Sequence, residues 1–486
     1  MVRVRYAPSP TGVLHLGGLR TALFNWLFAR AHAGAFILRI EDTDRTRLVP
    51  GSAEALYQTL STTGLVPDES PAKGGAFGPY VQSHRKELGI YKEKSHQLLE
   101  SGHAYRCFCT PERLELLRKI QQKQGLATRY DGYCSGIHEK ESRARADAGE
   151  PFVIRHRVSQ GEDFVVSVED LLRGSVKFSS AVLDDTILIK SDGFPTYHFA
   201  SVVDDQMMEI SHVIRGEEWL PSAPKHVLLY QAFGWKPPNL IHLPLLINMQ
   251  RQKLSKRHGD RVAVDEYLNR GIEVSSLLNF VALLGWTPKK GRELFYTLDD
   301  MVSEFSFEDV NKGAAVVDED KLWWFNTMHV RKLVEERSEQ VLEAAKRKFS
   351  LSISEEYVFK VADAMKERAL SLDDLFERSN YFFEDPELSK ESLQFLLMQK
   401  SVATGLLDML EQFDSVPDSD FDAEKIDSVL RKVQEAHSLG QKEILAPLRA
   451  MITGAKSGTS LASTMAVLGK EVTLRRMSRY LVPPLK

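Results

Sequence analysis

The chain has 486 residues, with 63 Lys and Arg against 67 Asp and Glu and a formal net charge of −4. That length predicts several domains, and a composition of 43% hydrophobic and 27% charged residues excludes a disordered or low-complexity chain. The slight negative balance gives no general attraction for nucleic acid, so such a partner needs local basic surfaces, for which residues 251–261 and 470–479 are candidates.

Three cysteines exclude a disulfide scaffold and favour a reducing compartment. No run of about eighteen apolar residues is present, so no membrane span is expected. A predicted strand starting at residue 2 leaves no secretory signal ahead of it.

That first strand, Val2 to Ala7, runs into Pro8-Ser9-Pro10-Thr11-Gly12-Val13-Leu14-His15-Leu16-Gly17-Gly18. A helix is predicted next, with Leu19, Ala22, Leu23, Trp26 and Leu27 on one face. A strand, a turn with Gly and Pro, a histidine and a helix N-terminus suit a polyanion, with Gly17 and Gly18 allowing close approach to the backbone. Ala35 to Ile40 is short and apolar enough for a buried parallel strand, and it ends at Glu41-Asp42-Thr43-Asp44. Residues from about 93 to 190 differ in character: they are rich in charge, hold all three cysteines and show strand-like alternation from Phe152 to Val158. They read as an insertion, after which the sheet is expected to resume at Thr186 to Lys190 and His212 to Arg215.

Downstream, Lys253-Leu254-Ser255-Lys256-Arg257 supplies mobile cations for the same phosphates, and Ser255 and Gly259 allow a loop that closes over them. Beyond Trp286 the pattern turns helical, with Leu342, Ala345 and Phe349, then Leu393, Leu396 and Leu397, then Leu406, Leu407 and Leu410 as apolar faces. Ser415 to Ser419 and Gly454 to Gly458 read as loops.

The histidine–glycine turn and the lysine-rich loop together resemble the two signature motifs of class I aminoacyl-tRNA synthetases. Ala7-Pro8-Ser9-Pro10-Thr11-Gly12 and Glu41-Asp42-Thr43-Asp44 are similar to glutamyl-tRNA synthetases of bacterial and organellar type. The similarity covers the whole chain and is densest over Ser191 to Trp219, Leu243 to Arg257, Leu283 to Trp286 and Lys321 to Asn326. It implies an α/β Rossmann-like catalytic domain with an α+β insertion, followed by an all-α C-terminal anticodon-binding half. The expected divisions are 1–92 and 191–250 for the catalytic domain, 93–190 for an acceptor-stem-binding insertion and 251–326 for the lysine loop with a stem-contact domain. Two helical anticodon-binding parts, 327–390 and 391–486, complete the chain.

The implied reaction joins glutamate to the α-phosphorus of ATP, with Mg2+, and passes the acyl group to the terminal ribose of tRNA. Such transfers need positioning and charge neutralisation. The resemblance assigns catalysis to His15, Lys253 and Lys256, and ATP binding to these with Thr11, Gly17, Gly18, Glu218, Trp219 and Ser255. Arg5 and Arg215 suit a substrate carboxylate because a guanidinium grips it bidentately, Glu41 suits the ammonium, and Tyr197 adds a hydroxyl. Ala7, Ser9 and Ser201 complete the implied glutamate site, Ser201 standing where the family often has Asn.

Cys107, Cys109 and Cys134, with Tyr130, resemble a zinc element of some family members; one structural Zn2+ and three ordinary thiols are the two readings. The implied partners are L-glutamate and tRNA(Glu), with tRNA(Gln) open, and a monomer is expected. Pro67 to Pro71 and Gly78 to Tyr80 look closest to mitochondrial members, which implies the mitochondrial matrix, with a leader missing from the chain; the alternative is the bacterial cytoplasm. A non-catalytic tRNA-binding paralogue should have lost phosphate or amino-acid ligands, and a stand-alone nucleotidyltransferase would have no use for the helical half.

Overall fold

Buried apolar strands organise the first part of the chain. In the computed structural model, which describes residues 1–158, 164–255, 258–349, 353–388, 400–455 and 458–481, two units form. The first comprises Met1–Arg270 and Val274–Glu319, the second Gly271–Glu273 and Asp320–Lys486.

Unit one is built on a six-stranded sheet in the order β2-β1-β8-β9-β5-β6. Its strands are β1 (Arg3–Tyr6), β2 (Ala35–Leu38), β5 (Val165–Asp170), β6 (Gly174–Ser179), β8 (His212–Gly216) and β9 (Asn239–Leu243). β1 pairs in parallel with β2, Arg5 opposite Ile37, and β8 pairs in parallel with β9, Arg215 opposite His242. Every residue of β1 is buried, as expected of a parallel strand covered on both faces, so its two arginines must find partners. Arg3 pairs with Glu69 at 2.8 Å and Arg5 with Asp205 at 3.0 Å. Helices α1 (Leu16–Ala31), α2 (Ile90–Glu100), α3 (Tyr197–Met207) and α4 (Ala223–Phe233) belong to this unit and contribute apolar residues to its core.

A second, antiparallel sheet joins β3 (Ala104–Cys107), β4 (Val153–His156) and β7 (Ile187–Ile189). The alternation seen from Phe152 to Val158 therefore is a strand. Two expectations are corrected. Ile187–Ile189 does not resume the main sheet but pairs with β4, because its neighbours there are the insertion strands. Conversely, the β5–β6 hairpin, which falls inside the stretch read as an insertion, extends the main sheet through β5 beside β9. A short parallel pair, β10 (Leu246–Ile247) with β11 (Ala315–Val316), follows β9.

Unit two is helical among the described residues, apart from short 3-10 turns. Its core includes Ala345, Phe349, Phe376, Leu406, Phe413, Ile444, Met451 and Met477. Ala345, Phe349 and Leu406 behave as expected and Leu342 and Leu410 pack at the core edge, but Leu407 is exposed. Leu393, Leu396 and Leu397 lie outside the described residues, as do Lys456 and Ser457 of the expected loop. The basic stretch 470–479 is largely committed to structure. Lys470 donates to the carbonyls of Asp414 and Val416 at 2.7 and 2.8 Å, and Arg475 and Arg476 both reach Asp385.

Candidate active site

At the carboxyl end of β1 the chain turns and enters α1, with exposed His15 immediately before the first helical residue. Two backbone bonds fix this turn: Leu16 N donates to Val262 O at 2.7 Å, and Val264 N donates to Leu14 O at 3.0 Å. Residues just past the lysine loop are thereby tied to the phosphate turn. The loop itself leaves β10 through a tight reversal in which Asn248 N donates to Gln252 O and Leu254 N to Leu246 O, with Arg251 at φ 61°. Asp260 anchors its base, accepting from Ser255 N at 2.9 Å and from Asn248 Nδ2 at 3.2 Å.

Between turn and loop lies a cleft of about 470 Å³. His15, Gly17, Gly18, Glu218, Lys253 and Ser255 line it, so six of the expected ATP ligands share one cavity. Thr11 and Trp219 stand outside this lining, and Lys256 lies outside the described residues. Gly17 and Gly18, in the first turn of α1, line this space, so the positive end of the helix dipole lies beside it, the arrangement a phosphate prefers. Gly18 has a packing duty as well: a Cβ there would sit 2.6 Å from Tyr6 Oη and 2.9 Å from Leu14 Cδ1.

Arg20, also in the lining, is almost wholly buried and donates to the carbonyls of Leu284 and Pro244. Burial pulls its guanidinium down to about 10, although Glu218 and Glu217 oppose this.

Beside the cleft, a buried set of charges gathers around the carboxyl ends of β1 and β8 and one face of α3. Tyr197, Ser201 and Asp205 recur every four residues and so share that face. Asp205 accepts from Arg5 Nε at 3.0 Å and Nη2 at 3.3 Å, and from Arg39 Nη1 at 2.8 Å. Arg39 in turn holds Glu41 Oε1 at 2.8 Å. Burial pushes the Glu41 carboxyl up, against the pull of Arg39 and Arg5. For Asp205 burial also acts upward, but Arg5 and Arg39 overcome it and hold the carboxyl below its usual range.

Burial raises the Tyr197 phenol, with Glu41 adding to the rise and Arg215 and Arg5 opposing it, so it sits among these charges. Its ring lies 4.4 Å from that of Trp219.

Arg215 differs from Arg5. Its Nε donates to His242 Nε2 at 3.1 Å, while Nη1 and Nη2 are buried with no hydrogen-bond partner. The next residue, Gly216, lines the cleft. Ser201 Oγ is likewise buried and unpartnered. Unsatisfied buried polar groups are rare, and two donors of a fixed cation together mark a place for a carboxylate.

Ala7 is half-buried and Ser9 exposed, both at the turn after β1. Asp205, Arg39, His242 and Asp170 were missed from sequence. A charged or imidazole side chain inside an apolar run, as in Phe36-Ile37-Leu38-Arg39-Ile40 and Leu240-Ile241-His242-Leu243, is the signal that could have found them.

In the insertion, Tyr130 Oη lies 3.3 Å from Cys107 Sγ and 3.5 Å from Cys109 Sγ, and Cys109 Sγ lies 3.6 Å from Cys134 Sγ. The three sulfurs lie within 4.8 Å of one another. Tetrahedral zinc with ligand bonds of about 2.3 Å needs sulfur–sulfur edges near ~3.8 Å, so this donor set fits the ion.

Comparison with known proteins places the whole chain. Residues 1–324 match the catalytic domain family of class I tRNA synthetases (E and Q), and residues 325–481 match an anticodon binding domain. The chain belongs to the class I tRNA synthetases (E and Q). Among relatives in this family, the glutamate–tRNA ligase of Chlorobaculum parvum is 44% identical over 498 residues, spanning 98% of this chain and 97% of its own. That of Chlorobium chlorochromatii is also 44% identical, over 99% of this chain and 98% of its own. A crystal structure of a glutamate tRNA ligase from Elizabethkingia meningosepticum in complex with its amino acid aligns with a TM-score of 0.89 at 36% identity, covering 99% of both chains. The synthetase fold is thus an α/β parallel-sheet catalytic domain followed in sequence by a helical anticodon-binding domain. These relatives are bacterial, so the lean toward mitochondrial members finds no support in them.

Proposed function

We propose that this chain is an ATP-dependent glutamate–tRNA ligase. It activates L-glutamate to glutamyl-adenylate and transfers the glutamyl group to the 3′-terminal ribose of tRNA(Glu). The observation that carries the reading is the buried Arg215 guanidinium, whose two terminal nitrogens are unpaired, whose charge acts on Tyr197 and which precedes Gly216 of the cleft lining.

In the activation step a glutamate carboxylate oxygen attacks the α-phosphorus and the bond to pyrophosphate breaks. His15 and the α1 amides stabilise charge developing at the α-phosphate. Lys253 and Lys256 neutralise the β- and γ-phosphates and the leaving pyrophosphate, with Thr11, Gly17, Gly18, Ser255, Glu218 and Trp219 holding the nucleotide. Mg2+ bound with the ATP adds charge neutralisation. Arg215 grips a substrate carboxylate, Glu41 and Ser9 receive the ammonium, and Tyr197, Ser201, Arg5 and Ala7 complete the pocket. Because Arg5 gives two of its nitrogens to Asp205, its part is to hold the pocket's charge pattern more than to chelate.

The insertion meets the acceptor stem and the helical unit the anticodon. One Zn2+ held by Cys107, Cys109, Cys134 and Tyr130 would tie β3 to the loop after the helix Pro111–Lys123, supplying rigidity and no chemistry. We place the protein in a bacterial cytoplasm as a monomer, with tRNA(Gln) as a second acceptor if its anticodon is tolerated. Aminoacylation of purified tRNA(Glu) with L-glutamate tests the reading; no charging under saturating ATP refutes it.

A further inference from the structure

Three adjacent strands of the main sheet each contribute one link to a buried chain ending at Arg215. β5 ends at Asp170, β9 carries His242, and β8 carries Arg215, which the parallel register sets opposite His242. Asp170 Oδ2 accepts from both the backbone N and the ring Nδ1 of His242, at 2.9 and 2.7 Å. Its Oδ1 accepts from the backbone of Leu172 and Arg173 at 2.9 and 2.7 Å. All three side chains are at most 5% exposed.

The protonation pattern follows from valence. Asp170, accepting four N–H groups, is ionised and can only accept, so the ring proton of His242 is on Nδ1. Arg215 Nε always carries a hydrogen, so His242 Nε2 must present its lone pair. One proton arrangement satisfies the chain, and it orients the guanidinium plane with Nη1 and Nη2 unpaired.

We propose that Asp170 and His242 are positioning residues for glutamate, acting through Arg215: they fix a neutral His242 tautomer that aims the two free guanidinium nitrogens at a substrate carboxylate. This rests on the glutamate reading above. A carboxylate in the place of His242 would neutralise the guanidinium and weaken its attraction for a substrate carboxylate, whereas a neutral imidazole on Nε leaves both the charge and the terminal nitrogens open. Asp170, His242 and Arg215 thus act as a preorganised unit, in which the orientation is fixed before the substrate arrives.

Two substitutions separate this role from plain structural support. The Asn amide overlays His Nδ1 and keeps the contact with Asp170, whereas the Gln amide overlays Nε2 and keeps an acceptor for Arg215. His242→Asn should raise the glutamate KM about tenfold or more, the size that residues orienting a ligand-contacting group carry, with the ATP KM unchanged. His242→Gln should stay within about threefold of wild type. In an Arg215→Ala background, His242→Asn should add less than about twofold, since its route of action is already gone.

The assay is aminoacylation by the full chain, with melting temperatures measured in parallel. Wild-type protein that charges no glutamate overturns the functional reading and this inference with it. Wild-type charging with a KM raised more by Gln than by Asn, or with additive effects in the double variant, overturns the inference alone.

Discussion

Replacing Arg215 with Met should stabilise the ligand-free protein while destroying its grip on glutamate. Two buried nitrogens without partners each cost about 1–3 kcal/mol, and Met removes both. Against this, Met loses the bond to His242 and leaves Nε2 unpaired, together worth about 2–4 kcal/mol. Burying an ion without its counter-ion is also relieved, and replacing buried ionic groups by apolar ones of similar volume commonly gains ~1–4 kcal/mol. The two hydrogen-bonding contributions nearly offset at their centres, so with the ionic relief the net gain is about 2–5 kcal/mol, or roughly 3–8 °C in melting temperature for a unit of this size. Losing a desolvated bidentate partner should weaken glutamate by about 2–5 kcal/mol, some 30-fold or more. Melting curves with and without L-glutamate read both effects. Wild type should rise with ligand, by ~2.7 kcal/mol at a hundredfold excess over Kd, and the variant at the same concentration by less than about 1 kcal/mol. A variant that melts lower and still binds glutamate within twofold of wild type would refute the account of Arg215.

Lys253→Ala should slow adenylate formation while leaving the glutamate KM nearly unchanged, because its proposed contacts strengthen only as pyrophosphate leaves; pyrophosphate exchange in the presence of tRNA reads this, and an unchanged rate contradicts it. Protein purified without chelator should contain close to one zinc, and Cys109→Ser should lose the metal together with tRNA charging; metal-free protein with full activity would mean three ordinary thiols. Gly18→Ala should cost about 1–3 kcal/mol by forcing Tyr6 and Leu14 aside, beyond any loss of ATP affinity; a melting temperature equal to wild type would count against that packing role. Glu273, pushed up to about 7 by burial and by Asp373, binds its proton more tightly folded than unfolded. Its contribution is full below its usual value near 4.5 and is lost as pH rises through 7, so Glu273→Gln should flatten the wild-type decline in melting temperature over that window, and parallel curves would contradict the assignment.

Much of the site was legible because its residues sit in short segments whose types match their chemistry. The turn from Pro8 to Gly18 and the loop from Lys253 converge on one cleft as their composition suggests. What the sequence did not reveal depends on pairing between distant strands. Arg5 and Arg215 look alike as buried strand arginines, yet one is neutralised by Asp205 and the other left open, a difference set by which helix or strand packs alongside. Asp170 escaped notice because its hairpin lies in sequence between the insertion strands β4 and β7, though it pairs with β9 in the main sheet. Gly18 suggested room for phosphate, and the structure adds a second demand from Tyr6.

The central claim is that this chain joins glutamate to tRNA. An aminoacylation assay offering each of the twenty amino acids with ATP to purified tRNA(Glu) and tRNA(Gln) tests it most directly. Charging of tRNA(Glu) by L-glutamate alone is the predicted result; charging by another amino acid, or none with active and folded protein, would contradict it.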